Sequence, residues 1–258
     1  MFKLKAFLKG IKILSNWHLY PLLYFGMLKS DPELQLRNGL KIKVRANSTD
    51  IQAFTNVWIL EEYSRQVQSV NESDVIIDIG AHIGFFSLYV SRFCKKGSVF
   101  CFEPIKENYE LLSYNINLNG IKNVKTFQKA VADKSEVVRV YLSSDAAAHS
   151  IFSKGSSYEE VESTSLKEIL DSNKIEICNL LKMDCEGSEY IILGSLPDKY
   201  FERIHRIVME YHLVIEKPEL IQDLIKKLTS LGYEVIVKKS TDDYGLLFAT
   251  RKSKPQIS

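Results

Sequence analysis

Apolar and polar positions alternate along the chain in two distinct ways from about residue 71 onwards. Short, nearly continuous apolar runs such as Val75 to Ile79 have the length of a β-strand and are typical of parallel strands buried on both faces. Longer segments with apolar residues three and four apart predict helices between them. We predict strands at 75–79, 98–102, 124–128, 137–142, 179–184, 204–211, 233–238 and 246–251, and helices at 85–94, 106–119, 165–171, 188–193 and 218–231. This order predicts an α/β fold with a doubly wound, mostly parallel sheet that ends in a hairpin.

The first 70 residues do not follow this alternation, and we interpret them as an N-terminal extension packed on a main domain of residues 71–251. Their pattern predicts an amphipathic helix, a hairpin that turns at Asn38-Gly39 between 34–36 and 41–44, and a further helix. Residues 252–258 are expected to be a frayed tail. The polar stretch 143–157 interrupts the main domain, and the helix after it has Ser165 or Thr164 as its cap and Glu168 in the capping-box position.

The N-terminal helix allows two interpretations. Lys3, Lys5, Lys9 and Lys12 interleave with apolar residues, so the helix either packs on the domain or rests as a basic amphipathic helix on an anionic membrane. Its apolar stretches are too short or too interrupted for a secretory signal or a membrane span. Basic and apolar positions are not cleanly segregated, which favours packing on the domain.

The composition narrows the class of protein. A hydrophobic content of 45% with 26% charged residues is ordinary for a globular protein, and a net charge of +2 with scattered lysines gives no reason to expect a nucleic-acid partner. The four cysteines form no CxxC pair and no zinc spacing, so we expect reduced thiols in a cytoplasmic protein: Cys94, Cys101, Cys178 and Cys185.

The turn 78–84, Asp-Ile-Gly-Ala-His-Ile-Gly, joins the first strand of the main domain to its first helix. Its glycines let the backbone approach a ligand at a helix N-terminus. A dinucleotide fingerprint has glycine at the first position, where this chain has Asp78, whose carboxylate would repel a pyrophosphate and favour a cationic ligand. S-adenosylmethionine carries a sulfonium and an ammonium but no phosphate. We therefore predict S-adenosylmethionine as the cofactor and disfavour a nicotinamide oxidoreductase.

Glu103 ends the second strand, 25 residues after Asp78. In doubly wound folds an acid about 20 residues beyond the glycine turn accepts hydrogen bonds from ribose hydroxyls. Two carboxylate oxygens match two vicinal hydroxyls, and Pro104 fixes the chain just after the strand. We predict a ribose contact at Glu103.

Acidic side chains cluster after the later strands. Asp184 and Glu186 follow the strand at 179–184, and we expect them to act as a base or to accept a hydrogen bond from a substrate hydroxyl. Glu189 is expected to bind substrate or, alternatively, to stabilise the first turn of the next helix. The strand at 204–211 brings Glu210 as a further substrate contact and leads to His212, which could take the hydroxyl proton.

Three segments resemble the FkbM-type methyltransferases: VIIDIGAHIGFFSL (75–88), FEPIKENYELLSYNINLNG (102–120) and LLKMDCEGSEYIIL (180–193). The K-M-D-x-E-G-x-E run of the third segment is the most characteristic of the family. The resemblance implies a class I, Rossmann-like fold with a seven-stranded sheet whose last strand is antiparallel. It implies O-methylation of a sugar, polyketide or related small molecule, with Asp78, Gly80 and Glu103 at the cofactor and 129–133 near the adenine. We expect the following cofactor contacts: Asp78, Gly80, Ala81, His82, Gly84, Phe85, Glu103, Pro104, Ala130 and Asp184.

Asp184, Glu186 and His212 are the expected catalytic residues, and His149, in the 143–157 stretch, is expected to contact substrate as part of a lid. The three nearby carboxylates would permit a divalent metal, but the resemblance does not require one, and we predict none. His82 stands where the family usually has Asn, and we expect no catalytic role for it.

Two other functions compete with O-methylation of a small molecule or glycan. Enzymes that methylate nucleic-acid amines typically have an Asn/Asp-Pro-Pro-aromatic motif after the fourth strand, where this chain has Asp-Cys-Glu-Gly at 184–187. This difference disfavours an N-methyltransferase acting on nucleic acid or protein. A catalytically silent binding module has no reason to retain Asp78, Glu103 and Asp184 together.

Overall fold

The computed structural model describes residues 2–63, 67–141 and 157–252. His149 and nearly all of the polar stretch 143–157 lie outside the described residues. The N-terminal extension contains two helices, a two-stranded hairpin and a third helix that continues as a π-helical turn: α1 (Phe2–Ile13), α2 (Leu19–Tyr24), β1 (Glu33–Gln35), β2 (Lys41–Lys43), α3 (Asp50–Phe54) and the π-turn (Thr55–Ile59). The predicted hairpin is confirmed, since β1 and β2 pair antiparallel.

The rest of the chain contains the predicted strands and helices in the predicted order, together with two strands (Ala130–Ala132 and Tyr158–Ser165) and a short helix (Asp198–Phe201) that were not predicted. Its elements are β3 (Val75–Ile79), α4 (Phe85–Ser91), β4 (Ser98–Phe102), α5 (Lys106–Leu118), β5 (Val124–Phe127), β6 (Ala130–Ala132), β7 (Val137–Tyr141), β8 (Tyr158–Ser165), α6 (Leu166–Ser172), β9 (Leu180–Met183), α7 (Glu189–Ser195), α8 (Asp198–Phe201), β10 (Arg206–Tyr211), α9 (Pro218–Ser230), β11 (Tyr233–Lys239) and β12 (Gly245–Arg251).

Seven strands form the central sheet in the order β11-β12-β10-β9-β3-β4-β5. The five strands from β10 to β5 pair in parallel, and β12 runs antiparallel to both of its neighbours. The prediction of a doubly wound, mostly parallel sheet with an antiparallel last strand is therefore confirmed. Because the carboxyl ends of parallel strands meet at one edge, β3, β4, β9 and β10 deliver their following loops to the same place.

A second, three-stranded sheet with the order β6-β8-β7 accounts for the break in alternation. Strand β8 was not expected, because its residues are mostly polar and carry no clear apolar period. It leads directly into α6, where the Ser165 hydroxyl accepts a hydrogen bond from the Glu168 amide at 3.2 Å and the Glu168 carboxylate accepts one from the Ser165 amide at 3.3 Å. The predicted capping box is confirmed, with Ser165 as the cap.

The N-terminal extension covers one face of the central sheet. Its apolar side chains and those of α4 belong to a single buried cluster. The ring of Phe54 lies 5.9 Å from that of Phe85, and the ring of Trp58 lies 5.0 Å from that of Tyr89. In the described part of the chain, no helix combines the length and apolar character needed to cross a bilayer.

Candidate active site

A cleft opens at the carboxyl edge of the central sheet, with about 890 Å³ of empty space when its opening to solvent is included. Loops after β3, β4, β5 and β9 line it, and the N-terminal extension closes one side. Eight of the expected cofactor residues are among its described lining: Gly80, Ala81, His82, Phe85, Glu103, Pro104, Ala130 and Asp184. Asp78 and Gly84 are not among that lining.

Two glycines of the turn are required by close packing. Gly80 has φ +73°, and a Cβ atom there would lie 1.8 Å from the carbonyl oxygen of Asp184. Gly84 has φ +95°, and its Cβ would lie 2.7 Å from a methyl carbon of Leu112. Both positions therefore need glycine for conformation and for space. Gly80 is the position at which the turn after β3 contacts the loop after β9.

Asp78 is fully buried, and its contacts are with other protein groups rather than with the cleft. The Ser87 hydroxyl donates a hydrogen bond to Asp78 Oδ2 at 2.5 Å, and Lys182 Nζ lies 3.2 Å from Oδ1. Lys182 also donates to the Gly80 carbonyl at 2.8 Å and lies 3.9 Å from Asp184. Burial by itself lowers the pKa of Lys182, but the carboxylates of Asp78 and Asp184 outweigh it and raise that pKa.

This ion pair changes the electrostatic argument made from the sequence. The charge of Asp78 is offset by Lys182, so its carboxylate fixes the shape of the turn more than it attracts a cationic ligand. Sequence reasoning missed Lys182, although a lysine inside the apolar run Leu180–Met183 of a central strand is a usable signal, because buried lysines need a partner.

Glu103 is buried at the end of β4 and is among the residues that line the cleft. Its Oε2 accepts a hydrogen bond from the His82 amide at 2.8 Å. Its Oε1 accepts from the Ile105 amide at 3.1 Å and from the Asn108 side chain at 3.3 Å. Burial raises the pKa of Glu103 to about 7, against the lowering effect of these hydrogen bonds. The carboxylate is thus held in place, and additional donors would stabilise its ionised form.

The N-terminal extension is tied to the glycine turn by a polar clasp made of Arg45, Asp50 and His82. The Arg45 guanidinium donates to both oxygens of the fully buried Asp50, at 2.8 and 3.0 Å. It also donates to His82 Nε2 at 3.0 Å. His82, at φ +50°, therefore links the glycine turn to the N-terminal extension. No sequence signal connects these residues, because the contact joins distant segments.

Glu189 does not occupy the substrate position that the sequence suggested. It is fully buried at the start of α7 and accepts hydrogen bonds from the amides of Cys185 and Gly187, both at 2.8 Å. These bonds fix the loop after β9, in which Glu186 has φ +52° and Gly187 has φ +100°. Both oxygens are used by the backbone, so the expectation of a substrate contact is corrected in favour of the helix-start alternative.

His212 follows β10 and is surrounded by carboxylates. Its Nε2 lies 3.5 Å from Glu186 Oε2 and 3.6 Å from Glu210 Oε1, and its Nδ1 lies 3.5 Å from Glu189 Oε1. Burial alone lowers the pKa of His212, but the carboxylates outweigh it and raise that pKa to about 12. An imidazolium cannot accept a proton, so this protein environment does not support His212 as the base.

The acceptor end, which we define as Asp184 and Glu186 of the cleft lining together with Glu210 and His212 beside them, contains more acidic than basic groups. Burial is the main cause that raises the pKa of Asp184 to about 6 and that of Glu186 to about 8. Glu62, from the N-terminal extension, adds another carboxylate: burial first, then the charges of Glu210 and Asp184, raise its pKa to about 7. The structure thus brings together four of the predicted residues, and it adds Glu62.

Comparisons with known proteins agree with this architecture. Residues 78–235, more than half of the chain, match the family model described as the methyltransferase FkbM domain. The 31-O-demethyl-FK506 methyltransferase FkbM of Streptomyces tacrolimicus is 23% identical over 239 residues, which cover 80% of this chain and 90% of that protein. The hexuronic acid methyltransferase AglP of Haloferax volcanii is 21% identical over 212 residues, which cover 79% and 84%.

Solved structures show the same fold. A Streptococcus mutans protein solved in complex with S-adenosylhomocysteine matches with a TM-score of 0.50 and 11% identity, and the match covers 75% of this chain and 97% of that chain.

Proposed function

Because the chain belongs to the FkbM methyltransferase family, we propose that it transfers the methyl group of S-adenosylmethionine to a hydroxyl of a sugar, a glycan or another small molecule. One observation carries the proposal: a single cleft joins the glycine turn and Glu103 at one end to the carboxylates of Asp184 and Glu186 at the other. The first end suits a nucleoside, and the second suits a hydroxyl that must lose a proton.

The residues of the first end fit the cofactor. Glu103 would receive the ribose hydroxyls, which donate to a carboxylate that is already fixed by three hydrogen bonds. Lys129, Ala130 and Val131 line the cleft beyond it and would flank the adenine. Gly80 and Ala81 would allow the backbone to approach the methionine portion.

S-adenosylmethionine supplies an electrophilic methyl group on a positively charged sulfur. The protein's task is to align the acceptor oxygen opposite the carbon–sulfur bond and to take up one proton. The oxygen forms a bond to the methyl carbon, and the electron pair of the broken bond remains on sulfur. A carboxylate of the acceptor end takes the hydroxyl proton, and His212, held among Glu186, Glu189 and Glu210, orients these carboxylates.

The hydroxyl acceptor is supported by the names of the relatives. The FK506 enzyme is named for an O-methylation, and the Haloferax enzyme for a sugar acid. The acidic acceptor end also disfavours a polyanion such as nucleic acid, whose phosphates it would repel.

Isothermal titration calorimetry with S-adenosylhomocysteine tests the cofactor assignment. We expect the wild type to bind and Glu103→Ala to bind at least tenfold more weakly, while Glu110→Ala, an exposed acid on the neighbouring helix, binds like the wild type. No binding by the wild type, or equal binding by Glu103→Ala, would refute the assignment. Mass spectrometry of glycans and small-molecule extracts from a deletion strain, searched for loss of one methyl group, identifies the acceptor.

We also propose that the extension makes peripheral contact with an anionic membrane. The first 30 residues contain five lysines and no acidic residue, whereas the rest of the chain carries a net charge of −3. Tyr24, Phe25, Gly26 and Met27 form an exposed, mostly apolar run, with Phe25 71% and Met27 66% exposed. Lysines in the same segment as exposed apolar side chains are typical of an interfacial membrane contact.

Flotation with phosphatidylcholine vesicles, with and without 30 mol% (about one lipid in three) phosphatidylglycerol, tests this contact. Binding should require the anionic lipid and should fall in Phe25→Ser/Met27→Ser. Val137→Ser removes a side chain that is 65% exposed elsewhere and should leave binding unchanged. Equal flotation with neutral vesicles, or no effect of the double substitution, would contradict the proposal.

A further inference from the structure

Three potential metal ligands meet at the acceptor end. A carboxylate oxygen of Asp184, a carboxylate oxygen of Glu186 and a ring nitrogen of His212 all lie within 4.8 Å of one another. Asp184 and Glu186 belong to the loop after β9, and His212 comes directly after β10. Since these two strands are parallel neighbours, the fold itself brings the three side chains together.

The spacing between Glu186 and His212 suits a single ion. An octahedral ion with ligand bonds of about 2.1 Å places its ligand atoms roughly 3.0 Å apart when they are neighbours and roughly 4.2 Å apart when they are opposite. His212 Nε2 lies 3.5 Å from Glu186 Oε2, inside that range. The other ring nitrogen, Nδ1, lies 3.5 Å from Glu189, which is fully buried and fixed by two backbone amides. A carboxylate in that position orients an imidazole so that its Nε2 faces a metal.

A second observation independently points to a ligand here. Ser188, two residues after Glu186, is only 3% exposed, and its hydroxyl has no hydrogen-bond partner among the described residues. The residue lines the same cleft as Asp184 and Glu186 and makes no cap to its own helix. Buried hydroxyls are rarely left without a partner, so a hydroxyl of this kind beside the cleft indicates an atom of a bound group, such as a water on a metal ion.

The surrounding charge favours a cation. Glu210 lies 3.6 Å from His212, and Glu62 interacts with both Glu210 and Asp184, so further carboxylates surround the three ligands. Two cations lie near Asp184: Lys182, which is already held by Asp78 and the Gly80 carbonyl, and His212, whose ring proton a metal ion would displace on binding. A mixed set of one imidazole and two carboxylates suits Mn²⁺, Fe²⁺ or Zn²⁺ better than Ca²⁺.

In place of the sequence-based expectation of no metal, we propose that Asp184, Glu186 and His212 bind one divalent transition-metal ion that holds the acceptor hydroxyl. This inference rests on the proposed function for the role of the ion, though not for its binding. The acceptor oxygen becomes a ligand of the ion, its proton passes to Glu210, and the oxygen then bonds to the methyl carbon while the electron pair of the carbon–sulfur bond stays on sulfur. The ion would lower the pKa of the hydroxyl and fix its direction.

Electron paramagnetic resonance of Mn²⁺ with the full chain and S-adenosylhomocysteine tests the site without any acceptor. We expect one Mn²⁺ per chain, and at least tenfold weaker binding in Glu186→Gln and in His212→Asn. Glu72→Gln, at the opposite edge of the sheet, is the matched control and should bind Mn²⁺ like the wild type. Calorimetry should show unchanged binding of S-adenosylhomocysteine by all three variants, which establishes that they fold.

The outcomes separate this proposal from the proposed function. Wild type that binds S-adenosylhomocysteine but no Mn²⁺, or variants that bind Mn²⁺ like the wild type, would overturn the metal site alone. Failure to bind S-adenosylhomocysteine would overturn the proposed function instead. If both variants fail to fold, electron spin echo envelope modulation on the Mn²⁺-loaded wild type decides, because ligation by His212 requires a nitrogen coupling and its absence refutes the site.

Discussion

The two ends of the cleft handle buried charge in opposite ways. At the cofactor end, Asp78 lies 3.2 Å from Lys182, and Asp50 accepts two hydrogen bonds from Arg45, so these two buried acids each have a cation, while the buried Glu103 is held by three neutral donors. At the acceptor end, the single imidazole of His212 faces three carboxylates at 3.5 to 3.6 Å. The charges of Asp78 and Asp50 at the first end are offset inside the protein, whereas the second end has more carboxyl groups than cations.

This difference indicates which parts of the site are preformed. Paired charges hold the glycine turn in one shape and need nothing from a ligand. Excess carboxylates are stabilised by protons, by a metal ion or by the donors of a bound acceptor. We therefore expect substitutions at the cofactor end to affect folding and cofactor binding, and substitutions at the acceptor end to have smaller effects on both.

Gly80→Ala should have the largest effect on stability and on cofactor binding, because its Cβ would lie 1.8 Å from the Asp184 carbonyl oxygen. We expect a loss of about 3 kcal/mol or more in the free energy of unfolding, and loss of measurable S-adenosylhomocysteine binding. Gly120→Ala is the matched control: its φ is +61° but a Cβ meets nothing within 4 Å, so it should cost only about 1 kcal/mol. Equal losses in the two variants would show that the turn can move away from the loop after β9.

Lys182→Met should have the next largest effect, because it leaves Asp78 buried without its cation. Breaking a buried pair costs about 3 to 5 kcal/mol, which chemical denaturation can measure. Lys167→Met breaks an exposed pair with Asp171 and should cost less than about 1 kcal/mol. Adding Asp78→Asn to Lys182→Met should recover part of the loss. A cost for Lys182→Met no greater than that for Lys167→Met would mean that the cofactor end does not depend on this pair.

Glu103→Gln should change the pH dependence of cofactor binding. The pKa of Glu103 is raised to about 7 by burial, so the carboxyl is largely neutral at pH 6. Ribose hydroxyls donate to the ionised form, so wild-type affinity for S-adenosylhomocysteine should rise about tenfold between pH 6 and pH 8. Calorimetry should find this rise absent in Glu103→Gln and retained in Glu110→Gln. If wild-type affinity for S-adenosylhomocysteine did not change with pH, the ribose hydroxyls would not be bound by Glu103.

Glu62→Gln should have the smallest effect on stability. It tests whether the acceptor end has more carboxylates than its cations can offset. Burial and then the charges of Glu210 and Asp184 raise the pKa of Glu62 to about 7, so the folded state disfavours the ionised form. The stability associated with its neutral form is present below pH 4.5 and is lost as pH rises towards 7. Removal of the charge should therefore raise stability by roughly 1 kcal/mol at pH 8 and change nothing at pH 4. If Glu62→Gln were less stable than the wild type at pH 8, the ionised Glu62 carboxylate would already be stabilised by another group of the folded protein.

Local chemistry made much of the fold predictable. Apolar runs of strand length, the turn at Asn38-Gly39 and the cap at Ser165 each depend on a few neighbouring residues, and each is where the sequence placed it. The polar strand β8 was not predictable, because it has no apolar period. It forms through tertiary pairing with β6 and β7.

The site was predictable only as far as strand ends show it. Gly80, Glu103 and Asp184 follow strands of one sheet edge, and all three line the cleft. The direction of a side chain cannot be read from its position, so the sequence leaves Glu189 open between a substrate contact and the helix start, and only the structure shows its bonds to two backbone amides. The protonation of His212 depends on carboxylates from separate segments, which no single stretch of sequence displays.

The packing of the N-terminal extension has a consequence for anyone who shortens this protein. A fragment that starts at Asp78, where the family match begins, would lack Phe54 and Trp58 and would expose the rings of Phe85 and Tyr89. It would also lose Arg45 and Asp50, and with them the clasp on His82. The boundaries of the shared family segment are therefore not those of an autonomous folding unit, and truncations should retain the residues that precede it.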